Sequence, residues 1–268
     1  MAVKHVIRYT EIFQACTEDG QYKRELVLED HSLVRIISGE LKVIQADNTY
    51  TFGHGDTLLF PRNQLSTLIK HPKDGKDYSA VVMIFTTSRL REYYTKNKLE
   101  TLHAVAHKIV PLTQSPLLDS LFASLMPYYE LKTDLPEELS VMKIEEAITI
   151  LRTINPAIDG ILSDFSKSGK INLTDFMEKN YMFNVNLETF SNLTGRSLTT
   201  FKRDFKKSFD TTPQKWLTLK RLELAHYQLS ERKRKPMEVY YEMGFENLSH
   251  FSYAFKKHFG YPPSMVAE

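Results

Sequence analysis

Cysteine occurs once in 268 residues, as Cys16, so the chain closes no internal disulfide, and a single thiol without a nearby Cys or His is a poor metal or redox site. A reducing compartment, the cytoplasm, is the expectation. No run approaches 18 consecutive apolar residues; the longest, 80–85 and 58–61, are far too short for a membrane-spanning helix. The opening Met-Ala-Val-Lys-His lacks the apolar stretch of a secretory leader. With 10 Gly and 11 Pro the sequence is too poor in both for a collagen-like or low-complexity chain. Gly-x-Ser-x-Gly, a phosphate-cradling Gly-rich loop and a dinucleotide fingerprint are all missing, which removes the best-marked enzyme classes. What is present, 42% hydrophobic and 25% charged residues, describes a globular chain long enough for two domains.

Net charge also looks absent, at +2, until the chain is divided. Residues 1–164 hold 18 Lys+Arg against 22 Asp+Glu, a net of −4, whereas residues 165–268 hold 17 against 11, a net of +6. A basic half behind an acidic half suggests a polyanion-binding module joined to something else. The hydrophobic pattern changes along the chain as well. Leu33–Ile37, Leu41–Gln45, Thr49–Phe52, Thr57–Phe60 and Val81–Phe85 are short, rich in β-branched or aromatic residues and separated by turn residues, which predicts a small antiparallel β-barrel or sandwich. Segments 88–96, 116–128, 137–152 and 156–167 read as helices, the third with an apolar stripe of Leu139, Met142, Ile144, Ala147, Ile148 and Leu151. Such a stripe fits packing on the barrel as well as pairing of two chains, and it is expected to contribute to a dimer contact. The small polar stretch Ser166-Lys167-Ser168-Gly169-Lys170 coincides with the change of charge and predicts a boundary.

The C-terminal part repeats itself. At an offset of 50 residues Leu198 matches Leu248, Phe201 Phe251, Phe205 Phe255, Lys206-Lys207 Lys256-Lys257, Phe209 Phe259 and Pro213 Pro263. Each copy predicts a short helix closed by glycine and a second helix opened by a polar cap. Asn186 caps 187–193, Gly195 ends it and Ser197 caps 198–209; Pro236 starts the equivalent helix, Gly244 ends it and Asn247 caps 248–259, which Gly260 stops. Two helices about a Gly-containing turn form a helix-turn-helix. In each second helix the aromatic residues make an inward stripe, leaving Thr199, Lys202, Arg203 and Lys206 together on the outer face of one and Ser249, Ser252, Tyr253 and Lys256 on the other. These donors suit the base edges and phosphates of a DNA major groove. Residues 213–229 predict a helical strut of about 25 Å, with Trp216, Leu219, Leu222, Ala225 and Leu229 inward, able to place two reading helices in successive grooves.

From Gly169 to Ser264 the sequence resembles the DNA-binding domain of AraC/XylS-type transcription regulators. The likeness rests on Phe201-Lys202-Arg203-Asp204-Phe205-Lys206-Lys207, Arg221-Leu222 with Ala225 and Leu229, Met243-Gly244-Phe245, Phe251 to Gly260 and Pro262-Pro263. It implies recognition of double-stranded DNA by two helices, Thr199, Lys202 and Arg203 falling where the family reads bases and Ser249, Ser252 and Tyr253 filling the corresponding places. Ile37-Ser38-Gly39-Glu40 and Gly55 to Pro61 resemble the cupin-like regulatory domain of the same family, and Lys143 to Phe165 its helical dimerisation segment. The expected architecture is therefore α+β: a cupin-like barrel in 1–110, a helical linker or dimerisation segment in 111–166 and an all-α DNA-binding domain in 167–268. The resemblance implies an activator that recruits RNA polymerase, a homodimer through residues 1–165, and a small-molecule or protein effector at the N-terminal domain. No cofactor, metal or membrane association is expected, because His31, His54 and His71 stand singly and read as surface or turn residues rather than ligands. The alternatives are a cupin-type small-molecule enzyme with a helical oligomerisation tail and a DNA binder indifferent to sequence.

Overall fold

The computed structural model describes residues 11–17, 22–46, 48–97, 108–130, 135–165, 170–245 and 247–266. The chain divides into two compact units, residues 1–166 and 167–268. Most of the polar stretch expected to mark the boundary, 166–169, lies outside the described residues.

In the first unit, strands β1 (Ile12–Cys16), β8 (Ser79–Phe85), β3 (His31–Ser38), β6 (Thr57–Phe60) and β9 (Val110–Leu112) form one sheet in that order, and β2 (Tyr22–Leu28), β7 (Gln64–His71), β4 (Glu40–Ile44) and β5 (Thr49–Phe52) form another. Every pairing is antiparallel. The expected barrel is thus an open two-sheet sandwich. The chain changes sheets at Gly39, between β3 and β4, where φ is +72° and an added methyl would stand 2.7 Å from both the His71 carbonyl and the Tyr78 Cα, so only glycine fits the corner.

The five-stranded sheet has helices on its other face. Leu33, Val81, Met83 and Phe85 point to one core and Val34, Ile36 and Ala80 to the other. That double burial explains the unbroken apolar run 80–85, which an exposed sheet would have interrupted with polar residues. Helices α1 (Thr87–Lys96), α2 (Pro116–Ala123), α3 (Met126–Glu130), α4 (Glu137–Ile154) and α5 (Asp159–Leu162) supply the outer layer. Ile144, Ala147, Ile148 and Leu151 of α4 are each at most 1% exposed within this core. The stripe expected at a dimer contact is consequently committed to the fold of its own unit, and a charge at Ile148 or Leu151 acts on that fold. The helix expected over 156–167 is one turn of 3₁₀ helix, Pro156–Ile158, followed by the short α5. Asp159 holds this end of the layer, accepting hydrogen bonds from Tyr94 at 2.6 Å and Arg152 at 2.9 Å while 6% exposed.

Of the histidines weighed above as ligands, His54 is exposed on the β5–β6 turn and His71 is half-buried on β7, but His31 is 1% exposed and its Nδ1 accepts from the Arg62 amide at 3.2 Å. A buried, hydrogen-bonded imidazole corrects the surface reading of His31. Among the described residues no helix is long and apolar enough to cross a membrane.

The second unit is all helical: α6 (Leu173–Asn180), α7 (Leu187–Leu193), α8 (Leu198–Phe209), α9 (Pro213–Ser230), α10 (Pro236–Glu242) and α11 (Leu248–Phe259). The side chains of Asn186, Ser197 and Asn247 each accept from the amide three residues on, the hydrogen bond that starts α7, α8 and α11. Both short helices end alike. Gly195 and Gly244 adopt φ of +67° and +74°, Arg196 N–H returns to Ser191 O, and Phe245 N–H to Tyr240 O. The cores of both pairs are aromatic: Phe201, Phe205, Phe251 and Phe255 are fully buried.

Candidate nucleic-acid interface

Burying the phenylalanine stripe of α8 turns its opposite side outward. Phe205 stacks with Phe209 at 4.2 Å and meets Trp216 edge-on at 5.6 Å, which fixes the rotation of the helix about its axis. Thr199, Lys202, Arg203 and Lys206, at spacings of 3, 1 and 3, are all exposed on the outer face. Lys206 and Lys207 also lie in the last turn, where the helix dipole favours cations. Arg203, 75% exposed, donates to Asp204 Oδ1 at 3.3–3.4 Å. Asp204 also accepts from Arg196 Nε at 3.2 Å, and Arg196 Nη1 reaches the carbonyls of Ile171 and Thr194. Burial works to raise the Asp204 pKa, but the hydrogen bonds from Arg196 and Arg203 outweigh it and hold the carboxyl below its ordinary range. Arg203 therefore rests, within this outer face, on an ionised partner.

On α11 the same rotation is set by Phe255, which packs on Phe251, Phe259 and the ring of His226 from α9. Ser249, Tyr253 and Lys256 are exposed and Ser252 is half-buried. Tyr253 is 67% exposed, its ring and hydroxyl turned out from the helix. The eight residues anticipated from sequence thus fall into two sets of four, each gathered on one helix face. They bring hydroxyls, two kinds of cation and one phenol, and no nucleophile paired with a base.

A family model described as a helix-turn-helix domain matches residues 190–268, and one described as the ExsA N-terminal regulatory domain matches residues 31–155. The HTH-type transcriptional regulator ExsA of Pseudomonas aeruginosa is 25% identical over 245 residues, 89% of this chain and 86% of its own. The virulence regulon transcriptional activator VirF of Yersinia enterocolitica is 25% identical over 242 residues, 86% of each chain. Both models and both relatives support an AraC/XylS-type transcription regulator with an N-terminal regulatory domain. Among solved structures, an apo ToxT variant from Vibrio cholerae aligns over 97% of both chains at 12% identity, with a TM-score of 0.48.

Further cations of this AraC/XylS-type regulator went unassigned in the sequence. Lys207 and Lys257 are exposed at equivalent places beside the two outer faces, and the 50-residue offset that pairs them was the available signal. Arg232, Lys233 and Lys235 are exposed in the loop before α10. Their signal was the run Glu231-Arg232-Lys233-Arg234-Lys235, whose Arg234 is instead bound to Glu242 at 2.7 Å.

Proposed function

We propose that the protein is a sequence-specific, DNA-binding transcription activator that reads two successive major grooves with α8 and α11. The observation that carries this reading is the duplicated helix pair, each copy holding its second helix by a buried phenylalanine stripe so that Thr199, Lys202, Arg203 and Lys206, or Ser249, Ser252, Tyr253 and Lys256, face outward. Arg203 and Lys202 address base edges; Lys206 and Lys256, nearer the helix ends, address phosphates. The two helix pairs are the two helix-turn-helix units. Activation follows those relatives whose names call them activators, VirF among them, and RNA polymerase is the partner such an activator recruits.

In the same reading the first unit, residues 1–166, is regulatory rather than catalytic and receives an effector, and the chain works as a homodimer in the cytoplasm. Pairing raises affinity because a second DNA-binding unit then arrives at high effective concentration without new base contacts. The contact lies off the buried α4 stripe; Met142, 63% exposed, is the large apolar residue that α4 turns outward.

Selection of duplexes from random DNA by the full-length protein tests the reading. The expected result is one preferred two-part sequence, bound with an affinity that falls steeply with salt as phosphate counterions are released. Recovery of salt-sensitive binding with no preferred sequence would replace it with an architectural role, and no binding would remove the DNA function altogether.

A further inference from the structure

The two helix pairs share one connecting helix, and beside it a polar contact at Arg221 also joins them. Among the described residues α7 packs on α8 and α10 on α11, while α8, α10 and α11 pack on α9; no extensive packing joins one pair to the other. Along α9 the hydrophobic allegiance changes. Trp216 belongs to the aromatic cluster of the first pair, whereas Leu222, Ala225 and Leu229 belong to the core of Val239, Met243, Phe245, Phe251 and Phe255 in the second. Arg221 sits at the changeover.

Arg221 is 9% exposed, and its guanidinium reaches the segment before α7. Nε donates to the Tyr181 carbonyl at 3.3 Å and Nη2 to the Phe183 carbonyl at 3.0 Å, both in the segment that leads into α7. The remaining nitrogen lies against the turn of the second pair: a methyl on Gly244 would stand 2.8 Å from Arg221 Nη1 and 2.7 Å from Asn184 Oδ1. Gly244 has φ of +74° as well, so its glycine identity is required twice, by the turn and by the closeness of these two side chains. Beside them lies a polar cleft of about 540 Å³, lined also by Lys202 and Gln214, so the two pairs meet there through polar groups rather than an apolar seam.

We propose that Arg221, seated against Gly244 and Asn184, is a positioning residue that sets the spacing and angle between the two reading helices, and hence the separation of the two half-sites that the protein accepts. The physical reason is the shape of the group. A planar fork held by two carbonyls on one side and abutting the second turn on the other fixes a direction as well as a distance, which an ammonium on a flexible stem does not. Without it each pair keeps its own hydrophobic seam on α9 and its own reading face but can roll about that helix. The proposal rests on the DNA-binding reading and adds a source of specificity in residues that touch no base.

The test uses the full-length protein and the duplex it selects from random DNA, remade with one base pair added or removed between the two half-sites. Each change rotates and shifts one groove relative to the other, and the wild type is expected to lose about tenfold or more in affinity, the scale of one mismatched base pair. Arg221→Lys is expected to cut that spacing penalty to about threefold, while single-base substitutions inside either half-site stay as costly as for the wild type. Should Arg221→Lys fail to fold, Asn184→Ala, at an exposed residue, carries the same expectation. Loss of affinity by one common factor at every spacing, or an unchanged penalty, would overturn the proposal and leave Arg221 as ordinary packing. A wild type that selects a site but tolerates every spacing would also overturn it, leaving the DNA-binding function standing; a wild type that selects nothing would remove both.

Discussion

The two helix pairs have the same backbone and different adhesives. In the first, the residue after the turn glycine is Arg196, tied to Asp204 and two carbonyls; in the second, it is Phe245, 5.2 Å from Phe251 and close to His250. At the place of Asp204 the second pair has Ala254, half-buried against the core of its own unit. The returning backbone hydrogen bond and the buried phenylalanines are shared, offset by 49 residues at the turns and 50 in the reading helices, so the second turn is one residue longer. Duplication has thus kept what makes the fold and changed what decorates it. The first pair presents cations steered by an internal carboxylate, the second hydroxyls and a phenol on an apolar base.

Core truncations should show the sharing most forcibly. Phe205→Ala and Phe255→Ala are each expected to cost about 3–5 kcal/mol, since both rings are fully buried. Trp216, the only tryptophan, lies in the C-terminal unit, so its fluorescence in a urea titration follows that unit alone. Values differing by more than about 2 kcal/mol would break the equivalence of the two copies. The reading faces should then separate them. Arg203→Ala is expected to cost about 1–3 kcal/mol in binding the preferred duplex and to relax preference at one position. Tyr253→Ala, its counterpart, should cost less and nearly the same on every sequence. An equal loss on random DNA for Arg203→Ala would withdraw its base-reading role.

Smaller effects sharpen the same contrast. Lys206→Ala and Lys256→Ala should each lower the slope of log affinity against log salt by about one, without altering sequence preference. If only Lys206→Ala does so, α11 does not reach the backbone at Lys256. Smallest is the effect of Asp204. A carboxyl held below its ordinary pKa of 3.8 contributes stability that is fully present above that value and is lost as pH falls through the lower, folded-state value. Asp204→Asn should therefore flatten the acid unfolding of the C-terminal unit below about pH 4, and release Arg203 so that non-specific DNA affinity rises. An unchanged acid profile would mean that the Arg196 clamp does not depend on this charge.

The helix pairs were the most legible part of the sequence because duplication writes the same caps, glycines and phenylalanines twice. In the first unit, strands with clean punctuation such as Thr49–Phe52 and Thr57–Phe60 stood out. β1, β2 and β7 did not: β2 carries Lys23, Arg24 and Glu25, and β7 includes Lys70, whose ammonium lies over the rings of Tyr22 and Tyr78. A charge lodged between aromatic rings is invisible to a pattern that counts apolar residues. The α4 stripe was legible as a buried face, but periodicity names no partner, and the partner is the core that the five-stranded sheet shares with the neighbouring helices. The brace at Arg221 was unreadable for another reason: its acceptors are backbone carbonyls, which every residue possesses. Proximity alone distinguishes Tyr181 and Phe183.

The strand order of the first unit also has a consequence in time. β1 must find β8, bringing Gln14 to Ser79 across 65 residues, and β8 must pair with β3 as well, before the central sheet exists. In the second unit the helices form from neighbours four residues apart, and α7 meets α8 across a single turn. Long-range pairing of this kind slows folding by orders of magnitude relative to local helix packing, so the half synthesised first should be the half completed last. During refolding from denaturant, the tryptophan signal of the helical unit should accordingly run ahead of the growth of β-sheet ellipticity, leaving an interval in which the chain is competent to hold DNA before its regulatory part has closed.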